Sequence, residues 1–273
     1  MSKNILFIVD PQNDFCDPKG SLYIPSAEND CLRISSILCH PNSGTFFSDC
    51  FVSMDMHHNY NCHHTCFWKD KEGNALKEVP TLMYNKDMYY GNSFIPATNK
   101  KSYTLDGDLT MIWPKHCIVG TWGSNLQEDV EIGLNFWEEN SIHYVNYLFK
   151  GRSPLEKEYG ALENKNNQKQ FLNSIHSKYG LYNNGNAINI YVCGEARMYC
   201  VKETILQIAR KMKEAKTRYP MLEYNIYLIL DCTSNVNLDD DDSQEIKKLV
   251  DLTNIKIVNS NDIIELLSTI NEN

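Results

Sequence analysis

Apolar and polar positions along the chain fall into two rhythms. Short runs rich in β-branched and aromatic residues recur at Ile5 to Val9, Phe46 to Met54, Ile142 to Phe149, Ile188 to Cys193, Ile226 to Leu230 and Ile255 to Val258. Runs of this length read as buried strands of a parallel sheet covered on both faces. Between them, Ala27 to Leu38, Gln168 to Lys178, Val201 to Lys213 and Gln244 to Leu252 carry apolar residues at helical spacing. Such alternation predicts an α/β fold of three α/β/α layers around a central, mainly parallel six-stranded sheet, with functional residues at the C-terminal ends of the strands. The closing stretch "NSNDIIELLSTI" predicts a last helix capped by Ser260. No internal repeat and no Pro/Gly/Ser-rich linker divides the chain, so 1–273 reads as a single domain.

One region breaks the pattern. At about 68–110 the chain is polar and aromatic without clear period, longer than an ordinary loop. A lid, an oligomer contact and a floppy insertion are equal readings of it, and a homo-oligomer stays open. Asp239 to Asp242 place four carboxylates before "SQEIKKLV", where negative charge favours a helix N-terminus.

Composition narrows the function classes. A formal charge of −9 leaves no basic surface to neutralise phosphates, which argues against nucleic acid and against an anionic membrane as partners. The longest apolar runs, "ILFIV" and "IYLIL", fall far short of the ~20 residues that span a bilayer. Asp10 and Pro11 interrupt the first run too early for a secretory signal. The expectation is a soluble intracellular protein, cytoplasmic or also nuclear, whose ten cysteines are reduced and mostly buried.

Several strand ends carry reactive side chains. In "FIVDPQNDF" Asp10 ends the first strand, either as a turn former before Pro11 or as a sheltered general base. In "FVSMDMHHNYNCHHTCF" Asp55 and His57 lie two apart at a strand end, facing the same way, and could hold one metal ion. Cys62, His63, His64 and Cys66 crowd the same loop without a second pair at zinc-finger spacing. His116 in "WPKHC" is a structural histidine or a third ligand, and Lys150 in "LFKG" either reaches solvent or favours a nearby thiolate. Of the two cysteines in "YVCGEARMYCVKET", Cys193 lies inside the predicted strand, where burial keeps a thiol inert, whereas Cys200 opens a helix. Cys200 is therefore the chemical one.

These stretches, in this order, resemble the isochorismatase-like cysteine hydrolases, and most closely the nicotinamidases. "VDPQNDF", "DMH", "WPKHC", "FKG" and "CGEARMYCV" carry the resemblance, which covers the chain from Val9 to Val201 and on to Asp231. It implies a catalytic triad of Asp10, Lys150 and Cys200, an oxyanion hole from the Ala196 and Cys200 amides, and a cis peptide between Glu195 and Ala196. It further implies a divalent metal, zinc first and iron or manganese as alternatives, on Asp55, His57 and His116. Phe15, Trp113 and Tyr159 would wall the substrate ring. The implied activity is hydrolysis of nicotinamide to nicotinate and ammonia through a cysteine thioester, in NAD salvage.

Three features depart from the family pattern. Extra residues at 59–64 bring His63 and His64 within reach of the metal site, the interval from His57 to His116 is long, and Met198 stands where many relatives have an acid. Alternatives are another small-amide or ureido hydrolase such as a carbamoylsarcosine amidase, a metal-free isochorismatase, or a catalytically silent binding protein.

Overall fold

The computed structural model describes residues 3–69, 95–96, 112–154, 158–179, 187–236 and 241–272. Its main sheet consists of β1 (Lys3–Val9), β2 (Phe47–Asp55), β5 (Val145–Lys150), β6 (Ala187–Gly194), β7 (Glu223–Ile229) and β8 (Lys256–Val258). The strand order is β5-β2-β1-β6-β7-β8, and every pairing is parallel. Two-residue strands β3 (Trp68–Lys69) and β4 (Ile95–Pro96) form a separate antiparallel pair. The rest of the 68–110 excursion lies outside the described residues.

Eight helices lie among the described residues: α1 (Asn13–Cys16), α2 (Ala27–Leu38), α3 (Ser43–Phe46), α4 (Glu128–Ser141), α5 (Lys165–Tyr179), α6 (Lys202–Arg218), α7 (Ser243–Thr253) and α8 (Ser260–Ser268). The period of two along β1 sorts them into layers. Leu6 and Ile8 pack into one core with Ile34 of α2, Leu134 of α4 and Ile263 of α8. Ile5, Phe7 and Val9 pack into the other with Phe171 of α5, Ile205 of α6 and Leu249 of α7. In that second core Phe7 stacks on Phe51 at 5.7 Å and both meet Phe171 edge-on. Each such fully buried ring contributes roughly 1.5–3 kcal/mol.

Chain order reverses around β1, whose neighbours are β2 and β6. At such a switch point the connections leave in opposite directions and open a crevice at the carboxyl ends of the strands. All three layers and the parallel sheet match the sequence expectation, but some local details differ. Ile142, expected to open a strand, instead ends α4 in a left-handed conformation (φ 59°), is 93% exposed, and β5 starts at Val145. Helix α4 itself was not expected. It buries Val130, Gly133, Leu134 and Trp137 and is capped by the Gln127 side chain, which accepts from the Asp129 and Val130 amides. The cap of α8 is Asn259, not Ser260: Asp262 accepts from the Asn259 amide, while the Ser260 hydroxyl donates to Asp231. Of the acidic run, Asp239 and Asp240 lie outside the described residues, and Asp242 precedes α7 and pairs with Arg197 at 3.0 Å.

Candidate active site

Four strand ends converge on one buried polar cluster. Asp10 follows β1 directly, in a left-handed conformation (φ 46°) that turns its carboxylate into the crevice. In the β2–β5 ladder Asp55 pairs with Lys150, each the last residue of its strand. Beyond β6, one turn of π-helix (Arg197–Val201) carries Cys200 just ahead of α6. The Lys150 ammonium, fully buried, lies 2.8 Å from Asp10 Oδ2, 2.8 Å from Asp55 Oδ1 and 3.5 Å from Cys200 Sγ, to which it donates. Asp10, Asp55 and Cys200 present an oxygen, an oxygen and a sulfur within 4.8 Å of one another. Carboxylate, ammonium and thiol from distant segments therefore meet, as the sequence reading required.

The ionisation of this cluster follows from burial and neighbouring charges. Burial works against every charge here, yet the Lys150 pKa is raised because Asp10, Asp55 and Cys200 surround it. Burial also opposes the Asp55 carboxylate, but Lys150 and His57 outweigh it and hold its pKa well below the usual range. At Asp10 burial wins over Lys150 and the pKa moves up, so Asp10 is the more basic carboxylate. Burial pushes the Cys200 thiol well up, with Lys150 opposing and Asp10 reinforcing. The helix-terminal position expected to favour a thiolate does not by itself overcome desolvation, and the sulfur needs a base beside it. Cys193, by contrast, is wholly buried in β6 with its thiol pKa pushed up by burial, an inert packing residue as expected.

Imidazoles gather beside Asp55. His57 Nε2 lies 3.4 Å and His116 Nε2 4.0 Å from Asp55 Oδ2. The opposite nitrogens face backbone carbonyls, His57 Nδ1 at 3.0 Å from Gly151 O and His116 Nδ1 at 2.8 Å from Pro114 O. Nδ1–H donation to a carbonyl leaves the Nε2 lone pair free for a metal. His116 is held neutral, its pKa lowered to about 4 chiefly by burial. Imidazoles beside an ionised carboxylate are the donor set a divalent metal takes. The residues present thus fit the metal that the resemblance implied, and His64 joins them: His57, His64 and His116 bring ligand atoms within 4.8 Å of one another.

Phe15, Trp113 and Tyr159 wall a pocket whose lining also includes Ala196 and Cys200. Trp113 Nε1 donates to the Tyr159 hydroxyl at 3.1 Å, and Phe15 packs 5.4 Å from the His116 ring.

Supporting groups that the sequence reading missed are held by contacts across long sequence separations. Ser53 donates to Asp10 Oδ1 at 2.7 Å. The Gln12 side chain both donates to the Asp55 carbonyl and accepts from its amide, each at 2.7 Å. Asp14 accepts from the Cys117 amide at 2.6 Å and so fixes the loop bearing His116. Gly151 has φ 69°, and a Cβ there would come within 2.5 Å of the His57 ring. Its amide donates to buried Glu158 at 2.7 Å.

Behind the turn that carries Cys200 sits a second acidic group. The Glu195–Ala196 peptide is cis, as the resemblance implied. The Glu195 carboxylate accepts from the Ser234 amide at 3.0 Å, and the Ser234 hydroxyl donates to Asp30. Burial raises the pKa of both acids, and at Glu195 the neighbouring Asp30 raises it further.

Comparison with known proteins bears on the fold. A Saccharomyces cerevisiae nicotinamidase is 24% identical over 258 residues, which are 93% of this chain and 98% of that one. The solved yeast nicotinamidase Pnc1p superposes with a TM-score of 0.62 at 22% identity, covering 93% of this chain and 99% of its own. The chain has the nicotinamidase fold. PnC1 of L. infantum, solved in complex with nicotinate, matches with a TM-score of 0.60 at 18% identity over 95% of this chain and 94% of its own. A pyrazinamidase of Pyrococcus horikoshii in complex with zinc matches with a TM-score of 0.54 at 18% identity over 94% and 99%. No protein-family model matches the sequence. No described helix is long and apolar enough to cross a membrane.

Proposed function

We propose that this protein is a nicotinamidase, a single-domain amidohydrolase that converts nicotinamide to nicotinate and ammonia for NAD salvage. The observation that carries the reading is the contact of one buried ammonium with Asp10, Asp55 and Cys200 at 2.8, 2.8 and 3.5 Å, beneath an aromatic-walled pocket. The similarity to yeast nicotinamidase over nearly the whole chain supports it.

In this reading the resting thiol is protonated and Asp10, the more basic of the two carboxylates, takes its proton as Sγ attacks the carboxamide carbon. Lys150 keeps the carboxylates and the developing thiolate from repelling one another. The carbonyl electron pair moves onto oxygen, where the Ala196 and Cys200 amides serve as the oxyanion hole. Collapse of the adduct expels the amine, which leaves as ammonia with the proton Asp10 carried. Asp10 next takes a proton from water, the oxygen attacks the thioester, and the departing Cys200 sulfur recovers that proton. Because Asp10, Lys150 and Cys200 titrate together, a pH profile reports the cluster.

A divalent metal on Asp55, His57 and His116, with zinc the first choice, would supply a Lewis-acidic anchor for the pyridine nitrogen. Phe15, Trp113 and Tyr159 wall the ring so that the carboxamide lies over Cys200. The deciding assay incubates the metal-loaded protein with nicotinamide and measures ammonia and nicotinate. Turnover is expected to vanish in Cys200→Ala and to fall on chelation; turnover undiminished in Cys200→Ala overturns the mechanism, and no nicotinate from the loaded wild type overturns the function.

A further inference from the structure

The turn that carries Cys200 is held from two sides. On one, the Glu195 amide donates to the Val9 carbonyl at 2.8 Å, and Gly194 (φ 104°) lies so close to β1 that an added Cβ would collide with that carbonyl. On the other, Ser234 grips the residues on either side of Ala196. Its amide donates to Glu195 Oε2 at 3.0 Å, and its carbonyl accepts from the Arg197 amide at 2.9 Å. The Ala196 carbonyl in turn accepts from the Tyr199 and Val201 amides at 3.0 and 3.2 Å. Of these restraints only one runs through a side chain, that of Glu195.

Its protonation state follows from its partners. Glu195 and Asp30 are both buried, and their carboxyl groups are in hydrogen-bonding contact. Two carboxylates can only accept, so this contact bonds only if one oxygen carries a proton. Asp30 already has donors, the Ser234 hydroxyl on Oδ2 and the Arg33 guanidinium at 3.1 Å on Oδ1. Glu195 Oε1 has none among the described residues. The proton therefore belongs on Oε1, which donates it to Asp30.

Nothing else around the pair offers Glu195 a counter-charge. Cys16 of α1, Cys31 of α2 and Cys193 of β6 face it with thiols, and Cys232 faces Asp30. Arg33 and Arg197 favour the charge on Asp30. Arg197 is itself engaged by Thr233 Oγ1 at 2.9 Å and Asp242 at 3.0 Å. Burial and Asp30 together raise the Glu195 pKa well above the ordinary carboxyl value.

We propose that Glu195 is a positioning residue for the hydrolysis: as the neutral acid it ties Asp30 on α2 to Ser234 and so keeps the Ala196 amide aimed at the substrate carbonyl oxygen. The inference rests on the amidase reading above and deepens it. An amide aimed in this way stabilises charge that develops only in the transition state, so slackening it lowers kcat and leaves KM nearly unchanged.

The test follows nicotinamide turnover by the metal-loaded protein, and its infrared spectrum, in wild type, Glu195→Gln and Glu195→Met. Glutamine keeps both hydrogen bonds without a charge; methionine keeps the volume and loses both. Expected is a protonated-carboxyl stretching band in wild type that is missing from Glu195→Gln, whose kcat stays within about threefold. Glu195→Met should lose at least about tenfold in kcat, part of the roughly 10²–10³ that a whole oxyanion-hole donor is worth, with KM within about threefold. Glu195→Gln as impaired as Glu195→Met, an unimpaired Glu195→Met, or identical infrared spectra of wild type and Glu195→Gln would overturn the proposal. Far-ultraviolet circular dichroism checks the fold, and if Glu195→Met is unfolded, kcat and the infrared difference of Glu195→Gln decide by the same thresholds. A wild type that yields no nicotinate sinks the amidase reading instead, and the infrared difference then decides alone whether Glu195 is the neutral tie.

Discussion

Two buried acidic groups flank the turn that carries Cys200, and they settle their charge differently. On the active-site side Asp10 and Asp55 share one ammonium, and Asp55 is held ionised far below its ordinary range. On the far side Asp30 and Glu195 meet across Ser234, with Arg33 reaching Asp30 from a half-exposed position, and both acids are pushed toward their protonated forms. Burial penalises charge in both places. What differs is a wholly desolvated cation in contact with both carboxylates, and only one cluster has it.

The sharpest way to break that contrast is Lys150→Met. It leaves two buried carboxylates facing each other and should cost about 3–5 kcal/mol in unfolding free energy, with nicotinamide turnover abolished. A Lys150→Met protein as stable as wild type in denaturant titrations would refute the role given to the ammonium. Gly151→Ala comes next. The left-handed backbone and the collision with His57 should cost about 1–3 kcal/mol, and zinc affinity should fall with it; unchanged thermal unfolding and zinc binding would contradict the packing described.

On the far side the prediction concerns pH. Glu195 has its folded pKa raised above the unfolded one, so its contribution is fully present below the unfolded value and is lost as pH rises through the folded value. Wild-type stability should therefore decline by up to about 1.4 kcal/mol per pH unit between those two values, while Glu195→Gln, which keeps the neutral shape, should lack this component. Parallel stability-versus-pH curves for the two proteins would show that Glu195 is ionised when folded. Asp55 carries the opposite sign, its stabilisation disappearing as pH falls through its depressed value. The smallest effect expected is that of Ser53→Ala, which removes the donor on Asp10 Oδ1. That hydrogen bond lowers the Asp10 pKa, so the acid limb of kcat/KM should move to higher pH, with a stability loss of about 1 kcal/mol; an unmoved limb would argue that Asp10 does not govern it.

Legibility followed the range of the interaction. The six strands and the carboxyl-end placement of Asp10, Asp55 and Lys150 could be read because strand periodicity and end position are local properties of the sequence. Helix α4 was missed although Val130, Leu134 and Trp137 keep helical spacing, because a glycine and five acids dilute its apolar stripe. Ser260 looked like a cap by residue type, yet Asp231, far away in sequence, takes its hydroxyl and leaves the cap to Asn259. Gln12, Ser53 and Asp14 gave no signal either, since their importance lies in what the fold brings opposite them. The loop histidines were visible in the sequence, but only coordinates separate His64, against the His57 and His116 rings, from His63, against Tyr159.

The pairing of Asp55 with Lys150 across β2 and β5 makes the buried charged cluster, and with it the proposed reaction centre, indivisible. A slip of one residue between these strands would turn the lysine to the opposite side of the sheet, and no neighbouring side chain could stand in for it. Half-assembled molecules should consequently have no fractional turnover, so that during refolding the recovered rate per milligram counts molecules whose sheet edge has zipped in frame.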